Sequence, residues 1–162
     1  MKICTPDITL ISRHTIDEIL DCAQSRQEQI FFSPRLQPPI SPVLFKNVVR
    51  SRFDPTLILI ENKVVAHANF INTGKICTIG NLIVHYSYRR KGLAAILISH
   101  LEKIAIEKYK TEMLAISCFD ENLSARTLFK TLKFEISGTK YIDCADGNRR
   151  MLFLFNRRLD YK

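Results

Sequence analysis

No stretch of this 162-residue chain stays apolar for the ~20 residues that a membrane-spanning helix needs. Its first residues, with Lys2, Cys4, Pro6 and Asp7, lack the apolar core of a secretion signal, so the expected address is the cytoplasm, with no membrane partner. Cysteine occurs five times but never as Cys-x-x-Cys. Cys4, Cys22, Cys77, Cys118 and Cys144 are odd in number and scattered, which signals neither a disulfide framework nor a zinc site; reduced, mostly buried thiols are expected. The four histidines, His14, His67, His85 and His100, are equally isolated, with no His-x-x-x-His pair on a helix, and no metal is expected. Internal repeats, low-complexity tracts and linkers are missing too. A chain of this length and ordinary apolar content is expected to fold unaided as a single domain, residues 1–162, around one core.

Charge is not balanced. Lys and Arg number 24 against 16 Asp and Glu, and a net charge of +8 points to an anionic partner. The cations gather at Arg89 to Lys91, at Arg149 and Arg150, and at Arg157 and Arg158, instead of forming one long tract interleaved with aromatics. That distribution favours a polyphosphate compound over nucleic acid.

Residues 7–13 alternate apolar and polar positions and read as a first strand. Thr15 then opens a helix, with Glu18 completing a capping box and Ile16, Ile19, Leu20 and Ala23 on one face. Pro34, Pro38, Pro39 and Pro42 make residues 31–42 an irregular connection, followed by a short helix over 43–51. The β-branched runs 57–60, 64–71 and 75–84, separated by Glu61-Asn62-Lys63 and Asn72-Thr73-Gly74, predict an antiparallel meander. A helix over 92–109 carries Leu93, Ile96, Leu97, Leu101, Ile104 and Ala105 at helical spacing. The apolar run 113–119 suits a central strand, parallel to the one before that helix. A helix over 122–132 presents Ala125, Leu128, Phe129 and Leu132, and residues 134–143 and 150–156 alternate about Asp146-Gly147 as a final hairpin. The expected fold is mixed α/β, a sheet with helices packed on it.

The most informative segment is Val84-His85-Tyr86-Ser87-Tyr88-Arg89-Arg90-Lys91-Gly92-Leu93-Ala94, where an apolar strand passes through three consecutive cations into a helix opened by glycine. The first N–H groups of a helix have no backbone partners, and the helix dipole places positive potential there. Gly92 has no Cβ to keep an oxygen away, Ala94 is small, and Arg89, Arg90 and Lys91 bring cationic donors to the same point. The pattern describes a cradle for a diphosphate; the plain alternative is a solvated basic turn with small residues placed for packing.

Arg89-x-x-Gly92-x-Ala94 resembles the Arg/Gln-x-x-Gly-x-Gly/Ala signature of the GNAT acyltransferase superfamily, and Asn122-x-x-Ala125 followed by Phe134 looks like its downstream helix. The likeness spans residues 7–159 or so. It implies a central mixed sheet of about six or seven strands with flanking helices, splayed between the fourth and fifth strands, here 79–84 and 113–119. It further implies acetyl-CoA or another acyl-CoA as co-substrate, and transfer of the acyl group to a primary amine of a small molecule or protein. On this resemblance the cofactor contacts would be Leu82, Val84, Arg89, Arg90, Lys91, Gly92, Leu93, Ala94 and Asn122, with the Val84 N–H stabilising the developing oxyanion. A monomer or a homodimer is expected.

Three positions depart from the family pattern. Phe129 stands where a Tyr usually protonates the leaving thiolate, Thr78 where a Glu base is common, and Lys133-Phe134 where Gly-Phe is usual. Cys118, at the end of the fifth strand, either donates to the thiolate or simply packs. Tyr141 either reaches the site or stays a half-exposed strand residue. His67 is either a base near neutral pH or a core histidine, and His85 either touches phosphate or is solvated. Asn122 can bond the cofactor, cap its helix, or both. Phe31, Phe32 and Tyr141 would wall the acceptor site, and Arg35, Arg149 and Arg150 would favour an acceptor bearing carboxylate or phosphate. The competing functions are an acyl-CoA-binding regulatory or interaction module without efficient chemistry and a basic nucleic-acid-binding protein.

Overall fold

The computed structural model describes residues 1–161, arranged as one seven-stranded mixed sheet with five α-helices. In chain order these are β1 (Lys2–Cys4), α1 (Arg13–Leu20), α2 (Arg26–Phe32), α3 (Pro42–Arg50), β2 (Phe53–Ile60), β3 (Lys63–Asn72), β4 (Ile76–Val84), α4 (Leu93–Tyr109), β5 (Met113–Phe119), α5 (Leu123–Thr131), β6 (Glu135–Asp143) and β7 (Arg149–Arg158). The strand order is β1-β2-β3-β4-β5-β7-β6, and every neighbouring pair is antiparallel except β4 with β5. That parallel pair is the one joined through a helix, as a crossover requires.

The N-terminal third differs from the sequence expectation at three places. The first strand is Lys2–Cys4, paired with β2, and Ile8–Leu10 is a 3-10 turn in which the Asp7 carboxylate accepts from Thr9 N at 2.8 Å. A short side chain bonding its own backbone two residues on wins over apolar alternation there. The first helix is capped by Ser12, whose Oγ accepts from Thr15 N at 3.1 Å; Glu18 instead reaches across to accept from Val64 N at 3.1 Å, fastening α1 to β3. Ile16, Ile19 and Leu20 are buried as expected. The connection 31–42 is irregular only after Phe32, because α2 occupies Arg26–Phe32.

Two clusters of apolar side chains fill the two faces of the sheet. On one, α4 lays Leu93, Leu97, Ile98, Leu101 and Ala105 against Ala68, Phe70, Cys77, Ile79 and Ile116. On the other, α1 and α3 bring Ile16, Ile19, Phe45 and Val49 against Leu57, Val64 and Ile83. Cys22, Cys77, Cys118 and Cys144 are buried, and Cys4 is half-buried. Burial pushes the Cys22 thiol up to about 12 and the Cys118 thiol up to about 11.

β4 is bent near its middle. Asn81 has φ +49°, and the register to β3 slips between His67↔Ile83 and Asn69↔Gly80. Such a bulge turns the end of a strand away from its neighbour on the far side. Here β4 and β5 pair only from Ile76↔Met113 to Ile79↔Ile116, while β4 runs on to Val84 and β5 to Phe119. The two strands therefore part toward their C-terminal ends.

Candidate active site

Where β4 has parted from β5, its end borders a cavity of about 620 Å³ that is also lined by the first turns of α4 and α5 and by α2. Leu82 and Val84 turn their backbone polar groups into it. His85 N donates to Val65 O at 2.8 Å, so residues 65 and 85 form a hydrogen-bonded pair of the ladder and the adjacent Ala66–Val84 pair does not. The amide and carbonyl of Val84 accordingly face away from β3, and those of Leu82, two residues back, do the same.

At the head of α4, Gly92 sits at φ +80°, a left-handed conformation that glycine adopts without strain, and no side chain caps the helix. The first bond of α4 is Ile96 N to Gly92 O at 3.0 Å, which leaves the N–H groups of Leu93, Ala94 and Ala95 without partners in the helix. A Cβ at Gly92 would meet nothing within 4 Å, so the way to these amides is open. The sequence places three cations just before them, and they part company. Arg90, at φ +60°, lines the cavity. Lys91 is not part of the lining; its Nζ lies 5.2 Å from the centre of the Tyr88 ring. Arg89 lines the cavity with its guanidinium paired to two other lining residues: Nη1 and Nη2 donate to the two oxygens of Glu28 at 2.6 and 2.9 Å, and Nε donates to Val84 O at 3.0 Å. This pairing holds the Glu28 carboxyl below its usual range.

Of the residues expected to hold the cofactor, Leu82, Val84, Arg89, Arg90, Gly92, Leu93, Ala94 and Asn122 come together on this one cavity. Asn122 Oδ1 also accepts from Ala125 N at 3.2 Å, so it caps α5 as well as lining the space. Among the three residues expected to act in catalysis, only Val84 borders the cavity. Cys118 is buried opposite Phe153 within the β5–β7 pair. Tyr141 lies on β6 at the edge of the sheet, 60% exposed, with the Arg149 guanidinium 5.4 Å from its ring centre.

The other candidates resolve as follows. His67 is fully buried, its Nδ1 3.2 Å from Thr56 O and its ring edge-on to Phe45, and burial pushes its pKa down to about 4. It is a neutral core histidine at pH 7. His85 accepts from Ser87 N at 3.1 Å through Nδ1 and stacks on Tyr86, with burial again lowering its pKa. Phe129 is 2% exposed and packs against Phe134 and Phe155. Arg150 is engaged by Asp146 at 2.7 and 2.8 Å, whereas Phe31 and Phe32 both line the cavity. Glu28 is the residue that the sequence reading missed. Its signal was present as the capping-box pattern Ser25-x-x-Glu28; Ser25 Oγ accepts from Glu28 N at 3.2 Å, and Glu28 accepts from Gln24 N, one residue before the cap, at 2.6 Å. Among the described residues no group of three His, Cys, Asp or Glu side chains is placed to hold a metal, and no helix is long and apolar enough to cross a membrane.

Over residues 18–134 the sequence matches the Acetyltransferase (GNAT) family, and the chain belongs to it. No curated protein matches by sequence. Solved structures carry the same fold at low identity. Ard1 from Thermoplasma volcanium superposes with a TM-score of 0.76 at 15% identity, covering 99% of this chain and 98% of its own. The ribosomal-protein-S18-alanine N-acetyltransferase from Escherichia coli gives 0.74 at 19%, covering 99% and 95%. The ribosomal-protein-alanine N-acetyltransferase from Brucella melitensis gives 0.72 at 16%, covering 98% and 100%.

Proposed function

We propose that this protein transfers an acyl group, acetyl in the simplest case, from an acyl-CoA to a primary amine of a small molecule or protein. One observation carries the reading: the N–H groups at the head of α4 that lack helical partners and the end of β4 that has parted from β5 border the same cavity. A diphosphate joined to a long amide-bearing arm fits these residues. Leu93, Ala94 and Ala95 would offer amides to the phosphates, with Arg90 and Lys91 adding charge, and the outward-facing groups of Leu82 would pair with the arm as a neighbouring strand does. Bound there, the thioester supplies an activated carbonyl, whose oxygen gains negative charge on attack by an amine, and a thiolate that leaves.

The chain's own part is largely placement, which in favourable cases supplies effective molarities on the order of 10⁵ M or more. The Val84 N–H, aimed into the gap, is the donor we assign to the developing oxyanion. Cys118 and Tyr141 stay outside this assignment because neither borders the cavity. The preference for an acceptor carrying carboxylate or phosphate rests on the net charge of +8, since Arg35 and Arg149, although bridged to no carboxylate among the described residues, do not border the cavity.

A second reading, a module that binds acyl-CoA without efficient turnover, is favoured by Phe129 itself, which is buried against Phe134 and Phe155 and cannot donate a proton. Thermal melts with acetyl-CoA, CoA and a nonspecific oligonucleotide, followed by thiol release with a panel of amines, separate the cases. Acetyl-CoA at 100 times its dissociation constant should stabilise the fold by about 2.7 kcal/mol, with no effect of the oligonucleotide. Thiol should then appear faster with amino acids and acidic peptides than with polyamines. Stabilisation without thiol release would support the second reading, and no response to CoA would defeat both.

A further inference from the structure

The wall of the cavity opposite α4 is α2, a helix of seven residues. A helix that short does not hold itself in water; its position comes from what grips it. At its C-terminal end the grip is apolar and local to the sheet. Phe31 stacks on Phe119 at the end of β5 with centroids 5.5 Å apart, Ile30 packs with Phe119 and Cys144, and Asn81 Nδ2 donates to Phe32 O at 3.0 Å. At its N-terminal end the grip is the Glu28–Arg89 pair. Between them α2 bridges the parted strands: its C-terminal end is tied to β5 through Phe119 and to β4 through Asn81, and its N-terminal half to Arg89, which follows β4.

Four of the five N–H donors of the Arg89 guanidinium are used. Two donors go to Glu28, Nε to Val84 O, and Nη2 also to Cys22 O at 3.4 Å. Glu28 in turn accepts from Gln24 N through the oxygen that faces Nη2. One N–H, on Nη1, is left over; gripping a phosphate with both prongs of the fork would mean abandoning Glu28. Meanwhile the amides of Leu93, Ala94 and Ala95, together with Arg90, remain free for that task.

We propose that Glu28 is a positioning residue: through Arg89 it fixes α2 across the cleft and sets the peptide at Val84, so the first cation of the Arg89-x-x-Gly92-x-Ala94 signature shapes the acceptor side while backbone amides carry the phosphates. The inference rests on the acyl-transfer reading for its kinetic consequence only; the mechanical consequence stands on the free protein.

The test uses Glu28→Gln and the charge-keeping Glu28→Asp in the full-length protein. Three quantities are measured: CoA affinity by calorimetry, kcat and acceptor KM by thiol release, and amide hydrogen exchange across α2 without ligand. Glu28→Gln should leave CoA affinity within about twofold, lower kcat/KM for the acceptor by about tenfold or more, as small misplacements of reacting groups do, and speed exchange in α2 and at Val84. Glu28→Asp should recover most of both losses. A CoA affinity that rises or falls about tenfold with the acceptor constants unchanged would make Arg89 a phosphate ligand and overturn the proposal, as would wild-type exchange and turnover in Glu28→Gln. If the wild type binds CoA but turns nothing over, the acyl-transfer reading fails, and the exchange comparison alone then decides the role of Glu28.

Discussion

α4 and α5 begin against the same cavity and finish their first turns in opposite ways. Asn122 bends its side-chain oxygen back onto Ala125 N, so α5 satisfies its own end. Gly92 has no side chain to bend, and α4 opens with three amides unspent. Ser12, Ser25 and Ser41 close α1, α2 and α3 as Asn122 closes α5. A capped end is a structural device worth about 1 kcal/mol. An uncapped end is less stable by itself and becomes useful when an anion completes it.

The sharpest way to break this contrast is to give α4 a carboxylate. Gly92→Glu should weaken CoA binding about a thousandfold by placing like charge at the open amides and removing charge-assisted bonds, as read by calorimetry on a variant whose melt shows it folded. Binding near the wild-type level would mean that the phosphates lie elsewhere.

A second test asks whether the open end is as free of titrating groups as a backbone cradle should be. The pH-sensitive group with a large shift toward neutrality's acid side is His67, far from the amides in the core. Its unfolded form takes up a proton near 6.5, whereas the folded form resists until about 4. Stability is therefore full above pH 6.5 and falls as pH drops toward 4, by up to roughly 3 kcal/mol. Melts between pH 7.5 and 4.5 should show this decline, and His67→Gln should flatten it, while CoA affinity stays level between pH 8 and 7 in both proteins.

The smallest effect falls on the capped helix. Asn122→Ala should cost about 1 kcal/mol of stability, and Asn122→Asp should restore it, since either side chain caps equally well. If CoA affinity fell more than about tenfold in the alanine variant, Asn122 would be a ligand first and a cap second.

Much of this site was legible in the sequence because it is local. Strand, cations, glycine and helix follow one another within residues 84–94, and the meander, α4, β5, α5 and the last hairpin announce themselves by periodicity and turn residues. What stayed hidden is held by distant partners. β1 is three residues long and exists by its register with β2. Ser25-x-x-Glu28 opens a helix of only seven residues, too short to show a helical period before the prolines at 34–42. The choice of Arg89 between phosphate and Glu28 depends on a residue 61 positions away, which no local pattern encodes.

The cysteines bear on how turnover can be watched. With Cys22 and Cys118 pushed up to about 12 and about 11, and Cys77 and Cys144 also buried, these sulfurs hold almost no thiolate at neutral pH or no path for a reagent to reach them. An electrophilic dye added to the native protein would therefore colour with little more than Cys4, and any coenzyme set free would stand out against a nearly silent background.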